Sequence, residues 1–202
     1  MWFEVFVHKS QTIGELGGMT SVLGSLLDVF WNESGHDMAT AGVELQLADG
    51  SAQHIWARFE TLLADEGALH ATLGCKGASG YRPCLLCRNV YNAGTVRDAA
   101  IADVPHTCPH MEQFQLHTPE SLQAIAKTLS AVAAAGVQSR LKEAQTNLGW
   151  NFIKRSILWN DRWFSLACPS WAACFDWMHV YFIDGVWNKH VGHSRHMVLR
   201  HR

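Results

Sequence analysis

Long apolar runs are missing from this chain of 202 residues. No stretch approaches the roughly 18 uninterrupted apolar residues that indicate a membrane-spanning helix. The opening residues, Met1 to His8, lack the charged start and long apolar core of a secretory signal peptide. We therefore expect a soluble, intracellular protein with no membrane partner. In that compartment the six cysteines are expected to be reduced thiols and not a disulfide framework.

A strong net charge is also missing, because the whole chain carries only −2. The charge is unevenly distributed. Residues 1–70 hold two basic and ten acidic side chains, and the remainder holds fourteen basic and eight acidic ones. A basic segment after an acidic one is compatible with phosphate contacts by the later part. The alternative is an ordinary mixed, solvated surface.

What is present is a globular composition organised around one stretch, residues 74–90. Hydrophobic residues make up 48% of the chain, and nine are tryptophans. Within the stretch, three glycines lead into the pair Cys84 and Cys87. Two thiolates separated by two residues can reach one tetrahedral zinc ion, which usually needs two more Cys or His ligands. The preferred completion is Cys108 with His110, and His106 is the alternative to His110.

Two other interpretations of the cysteine pair stay open. Cys-x-x-Cys is also the redox motif of thioredoxin-like proteins, but that motif opens a helix after a strand. The glycine-rich entry, with Pro83 directly before Cys84, does not fit it. The two cysteines could instead be small buried hydrophobic residues.

The three glycines before the cysteine pair form a turn, called the glycine turn below. Three cations surround it, namely Lys76, Arg82 and Arg88. Exposed backbone amides of such a turn can also meet phosphate. We predict these three residues as sequence-independent contacts to a nucleic-acid backbone, with DNA as a possible partner.

Two short segments contain acidic residues that are candidates for catalysis or metal binding. Asp65 and Glu66 follow a predicted strand, where carboxylates hold divalent metals in nucleotidyl-transfer enzymes, although they could equally begin a helix. Asp176 and His179 are three residues apart and would share a helix face, either as a hydrogen-bonded couple or as a helix cap beside a buried imidazole.

Periodicity predicts mixed secondary structure. Residues 2–7 and 43–47 read as strands, Asp49-Gly50 as a hairpin turn, and residues 54–63 as the returning strand. Helices are predicted over 19–31, from the Thr118 cap and Pro119 onward, and over 139–148 with Gly149 as the stop. The predicted parts are a core that includes the cysteine knuckle, meaning the turn with Cys84 and Cys87 (1–91), a loop and helical pair (92–150), a Trp-rich core segment (151–188) and a basic, His-rich tail (189–202).

Four motifs occur in one order: Ala64-Asp65-Glu66, Cys75-Lys76-Gly77-Ala78-Ser79-Gly80, Pro83-Cys84-Leu85-Leu86-Cys87 and Asp176-Trp177-Met178-His179. In this order they resemble transposases of the CACTA (En/Spm-like) group. They are more similar still to transposase-like reading frames multiplied in dinoflagellate genomes. The similarity spans about residues 10 to 188.

The resemblance implies an RNase H-like domain in which acidic residues hold two Mg²⁺ ions for DNA strand cleavage and joining. Asp65 would match the second catalytic aspartate, Cys84 and Cys87 the zinc-binding pair, and Asp176 with His179 the family's Asp-x-Met-His segment. The first and last catalytic acidic residues of the family have no match in this sequence. Mg²⁺ is therefore expected only if other residues complete the catalytic site. A transposase ancestry would also imply a nuclear location.

We therefore expect an α+β or α/β fold: an incomplete RNase H-like mixed sheet with an inserted zinc knuckle and a helical insertion. The expected function is that of a transposase-derived fragment without catalysis, with structural zinc and weak DNA binding. Two alternatives remain: an intracellular zinc-stabilised interaction module, and an active nuclease whose missing carboxylates come from a partner chain.

Overall fold

The computed structural model describes residues 10–31, 37–92, 103–106, 108, 110–176 and 178. Helices and short strands are mixed along the described ranges, which confirms the mixed class expected as α+β or α/β and is consistent with α+β. The helices are α1 Ser10–Glu15, α2 Met19–Phe30, α3 Glu66–Leu73, α4 Pro119–Ala134, α5 Gln138–Leu148, α6 Asp161–Ala167 and α7 Pro169–Ala172. The strands are β1 Val43–Gln46, β2 Ala52–Ile55, β3 Leu62–Ala64, β4 Val90–Tyr91, β5 Val104–Pro105 and β6 Ala173–Phe175.

The described strands form three separate pairs. Strands β1 and β2 are antiparallel, with Val43 opposite Ile55. Strands β3 and β6 are parallel, with Ala64 opposite Phe175, and β4 and β5 are also parallel. An RNase H-like sheet would need these pairs to join into one larger sheet, so that fold remains a prediction.

The predicted hairpin is confirmed in its turn but not in its second strand. Strand β2 ends at Ile55, and Leu62 to Ala64 form a separate strand, so the predicted single strand over residues 54–63 is wrong. The reason is tertiary: β3 bonds to β6 from the far end of the chain. The predicted opening strand at residues 2–7 lies outside the described residues.

Helix α4 begins as its sequence predicts. The Thr118 hydroxyl accepts a hydrogen bond from Ser121 N, and the Ser121 side chain bonds back to Thr118, which makes a capping box. Its apolar stripe, Leu122, Ala126 and Leu129, is buried. The stripe therefore packs into the molecule.

One core joins the helices. Leu27 of α2, Leu73 of α3, Leu129 of α4 and Phe164 of α6 all contribute to it, together with Trp150, which is 1% exposed. A buried apolar cluster of this kind is the main stabilising contribution to the fold. In the part of the chain that the structure describes, no helix is long and apolar enough to cross a membrane.

Candidate metal centre and basic turn

The glycine turn is held against the end of α5. Lys76 N donates to Gly149 O at 2.8 Å, and Tyr81 N donates to Thr146 O at 2.7 Å. Gly149 ends α5 in the left-handed conformation, with φ at 77°. A side chain there would overlap the Arg82 carbonyl oxygen, so the close approach of the two segments requires glycine.

One local hydrogen bond joins the two cysteines of the predicted knuckle. Cys87 N donates to Cys84 Sγ at 3.1 Å, and both side chains are half-buried. Such N–H···S bonds stabilise thiolate, the form that binds metal. Burial and the neighbouring Cys84 raise the pKa of the Cys87 thiol to about 12, so metal binding must displace a proton there.

A cavity of about 390 Å³ opens beside the two cysteines, and His106 lines it together with Cys84, Cys87 and Glu66. His106 reaches it because β5 pairs with β4, and His106 N donates to Tyr91 O at 3.1 Å. Thiolate, imidazole and carboxylate are the donors that zinc takes in proteins. The donor chemistry around this cavity therefore fits a zinc ion.

The preferred partners, Cys108 and His110, are engaged elsewhere. Cys108 Sγ lies 3.0 Å from Gln113 Oε1, and His110 Nδ1 lies 3.6 Å from Glu112. Neither residue is among those lining the cavity, which favours the His106 alternative. As the described side chains stand, no three or more of the His, Cys, Asp and Glu residues are grouped closely enough to hold a metal.

The three predicted phosphate contacts have different surroundings. Arg82 makes two hydrogen bonds to Asp103, at 2.9 and 3.1 Å, and it also donates to the Arg88 carbonyl oxygen. Lys76 Nζ lies 3.5 Å from Asn151 Oδ1, while Arg88 is exposed. Arg82 is thus already paired with a carboxylate, Arg88 has no such contact among the described residues, and phosphate binding by all three residues stays a prediction.

Asp65 and Asp176 lie at the same end of one parallel strand pair. Asp65 follows β3, Asp176 follows β6, and Asp176 N donates to Ala64 O at 2.9 Å. The sequence interpretation missed this neighbourhood because it placed Asp176 on a helix. The Asp176 carboxylate accepts from Met178 N at 2.9 Å, and His179 lies outside the described residues.

Asp65 is also the cap of α3. Its carboxylate accepts from Ala68 N at 2.7 Å, so the helix-start interpretation of Asp65 is confirmed. This does not exclude metal binding, since a carboxylate has a second oxygen. The described geometry leaves a role of Asp65 in catalysis as a prediction.

One buried titratable group near the knuckle was not predicted. His117 is 6% exposed, its Nδ1 lies 3.0 Å from Ser121 Oγ, and its ring meets the Trp150 indole edge-on. Burial, followed by the charges of Arg82 and Arg88, lowers its pKa to about 4. The local signal was weak, because a histidine just before a helix cap is usually exposed.

No family model, curated protein or solved structure matches this chain. The similarity to CACTA transposases therefore rests on the four motifs alone.

Proposed function

We propose that the chain is a transposase-derived fragment of a mobile element, with a structural zinc site and weak, sequence-independent binding to DNA. The observation that carries the proposal is the knuckle: an N–H···S bond joins Cys87 to Cys84 beside a cavity that His106 lines. The same stretch carries the half-buried Lys76 and the exposed Arg88, so one local structure would serve both metal and phosphate.

In the zinc site, Cys84, Cys87 and His106 would be the protein ligands, and Glu66 lies at the same cavity as a fourth donor. The ion would supply a fixed crosslink between the knuckle and the β4–β5 pair. That role is structural and needs no open coordination position.

DNA contact would come from Lys76 and Arg88, because Arg82 is held by Asp103. Contacts to phosphate carry no sequence information, so binding through these two residues should depend on salt and not on sequence. With few phosphates neutralised, we expect a micromolar or weaker dissociation constant that rises steeply with salt.

The test compares salt dependence for short DNA duplexes of unrelated sequence. The Lys76→Ala, Arg88→Ala double variant should flatten the log–log slope by about two units if each cation neutralises one phosphate. The control, Lys127→Ala with Arg140→Ala, removes the same charge from exposed positions on α4 and α5 and should leave the slope nearly unchanged. Equal effects of the two double variants would contradict the assigned surface, and no binding by the parent at low salt would favour the zinc-stabilised interaction module.

A second candidate function, Mg²⁺-dependent DNA cleavage, is favoured by the neighbouring strand ends that carry Asp65 and Asp176. Carboxylates at such positions can bind the metal ions of in-line phosphoryl displacement. Nicking of supercoiled plasmid that requires Mg²⁺ and is lost in both Asp65→Asn and Asp176→Asn would support it. Inactivity of the zinc-loaded parent would support the fragment without catalysis.

A further inference from the structure

An ion pair with a buried carboxylate and a partly exposed arginine lies next to the proposed zinc site. The Asp103 side chain is 4% exposed, and its carboxylate accepts two hydrogen bonds from Arg82 and one from Tyr81 Oη at 3.2 Å. Burying a carboxylate costs free energy unless it is paired and hydrogen-bonded, and removing one partner of such a pair is strongly destabilising. The Arg82 and Asp103 segments are therefore firmly joined.

These two segments are also the ones that carry the proposed zinc ligands. Arg82 lies two residues before Cys84, and Asp103 lies three residues before His106. Between Asp103 and His106, strand β5 consists of only two residues, held by Val104 N to Asn89 O at 2.8 Å and His106 N to Tyr91 O at 3.1 Å. So short a strand pair gives little stability by itself.

We propose that the Arg82–Asp103 ion pair is a positioning device for zinc: it fixes the segment that carries His106 to the cavity beside Cys84 and Cys87. The proposal rests on the zinc site of the proposed function. Arg82 and Asp103 are positioning residues and do not themselves touch the ion. In this arrangement Arg82 acts in metal affinity and not in phosphate binding.

The test is a double-mutant cycle on zinc affinity, measured by competition with a chelator at fixed pH. Asp103→Asn keeps the shape of the side chain and removes its charge. It should weaken zinc binding by about 10-fold to 100-fold, the range seen when groups that orient metal ligands are changed. In the His106→Ala background the same change should have almost no further effect, because the ligand that it positions is gone.

A matched control breaks an ion pair elsewhere. Asp28→Asn disrupts the Arg162–Asp28 contact of 3.6 Å, far along the chain from the knuckle, and should leave zinc affinity unchanged. If Asp103→Asn does not fold, Arg82→Lys is the substitute, because it retains the positive charge but loses the two-bond geometry of the pair. Arg82→Lys should weaken zinc binding less than Asp103→Asn would. In the His106→Ala background this effect should also disappear.

Two results would overturn the positioning role alone: an unchanged affinity in Asp103→Asn, or an equal loss in both backgrounds. A folded parent that binds no zinc would overturn the zinc site and the positioning role together.

Discussion

Asp65 caps the first turn of α3: its carboxylate accepts a hydrogen bond from Ala68 N, a backbone donor that has no partner within the helix. Asn is as good a cap as Asp, and Ala is not. We predict that Asp65→Asn leaves the free energy of unfolding nearly unchanged, while Asp65→Ala lowers it by about 1 kcal/mol. Urea unfolding of the two variants beside the parent measures this. A large loss in Asp65→Asn would show that the charge, and not the cap, matters.

His117 makes stability depend on pH. Its pKa lies near 4 in the folded chain against an ordinary 6.5, so the unfolded chain binds a proton that the folded chain does not. Below pH 6.5 the free energy of unfolding should therefore fall as pH falls, by up to about 3 kcal/mol at pH 4. The half-buried His70, whose pKa is also lowered by burial, adds to the same trend.

Unfolding in urea at several pH values between 6.5 and 4 tests this dependence. His117→Leu should be less stable than the parent near neutral pH, because it loses the Ser121 contact, but its stability should change much less with pH. The exposed His110→Gln serves as the control and should follow the parent. Parallel curves for His117→Leu and the parent would contradict the assignment.

Among the contacts between elements, the close packing of the glycine turn against the end of α5 depends on Gly149. Both Gly149 and Gly136 have left-handed backbones, with φ of 77° and 73°, but a side chain at Gly136 would meet nothing within 4 Å. Gly136→Ala should cost about 1 kcal/mol of conformational strain. Gly149→Ala adds the overlap with Arg82 O and should cost at least about 2 kcal/mol more. Thermal unfolding compares the two variants, and equal losses would show that the contact is not tight.

Several element boundaries could be predicted because their signals are local. Thr118-Pro119 and Gly149 set the start of α4 and the end of α5, and both predictions are confirmed. Strand β3 could not be predicted correctly, because its partner β6 lies far along the chain and a pattern of alternating residues does not reveal which strand it joins.

The candidate site shows the same limit at residue level. The spacing of Cys84 and Cys87 predicts the knuckle, whose N–H···S bond is local. The ion pair of Arg82 with Asp103 is a contact between segments, and so the spacing of residues around the glycine turn could not predict it. His106 was named only as an alternative because sequence distance does not show which histidine the β4–β5 pair carries to the cavity.

For the whole molecule, metal would add a crosslink to a knuckle that already packs one side chain into the core. Leu85, between the two cysteines, is fully buried in the main apolar core, whereas Cys84, Cys87 and His106 are not part of it. Removing zinc should therefore loosen the region around residues 74–92 and 103–106 more than the helical core. Hydrogen exchange with and without chelator would show this difference, and uniform loss of protection would contradict it.

The most direct test is the metal content of the purified protein, by mass spectrometry under native conditions. We predict one zinc per chain, lost in Cys84→Ser and in Cys87→Ser and retained in Cys174→Ser, which removes an exposed cysteine at another position. Release of zinc by either knuckle variant should also lower thermal stability. A fully folded parent that carries no metal after mild purification would contradict the account.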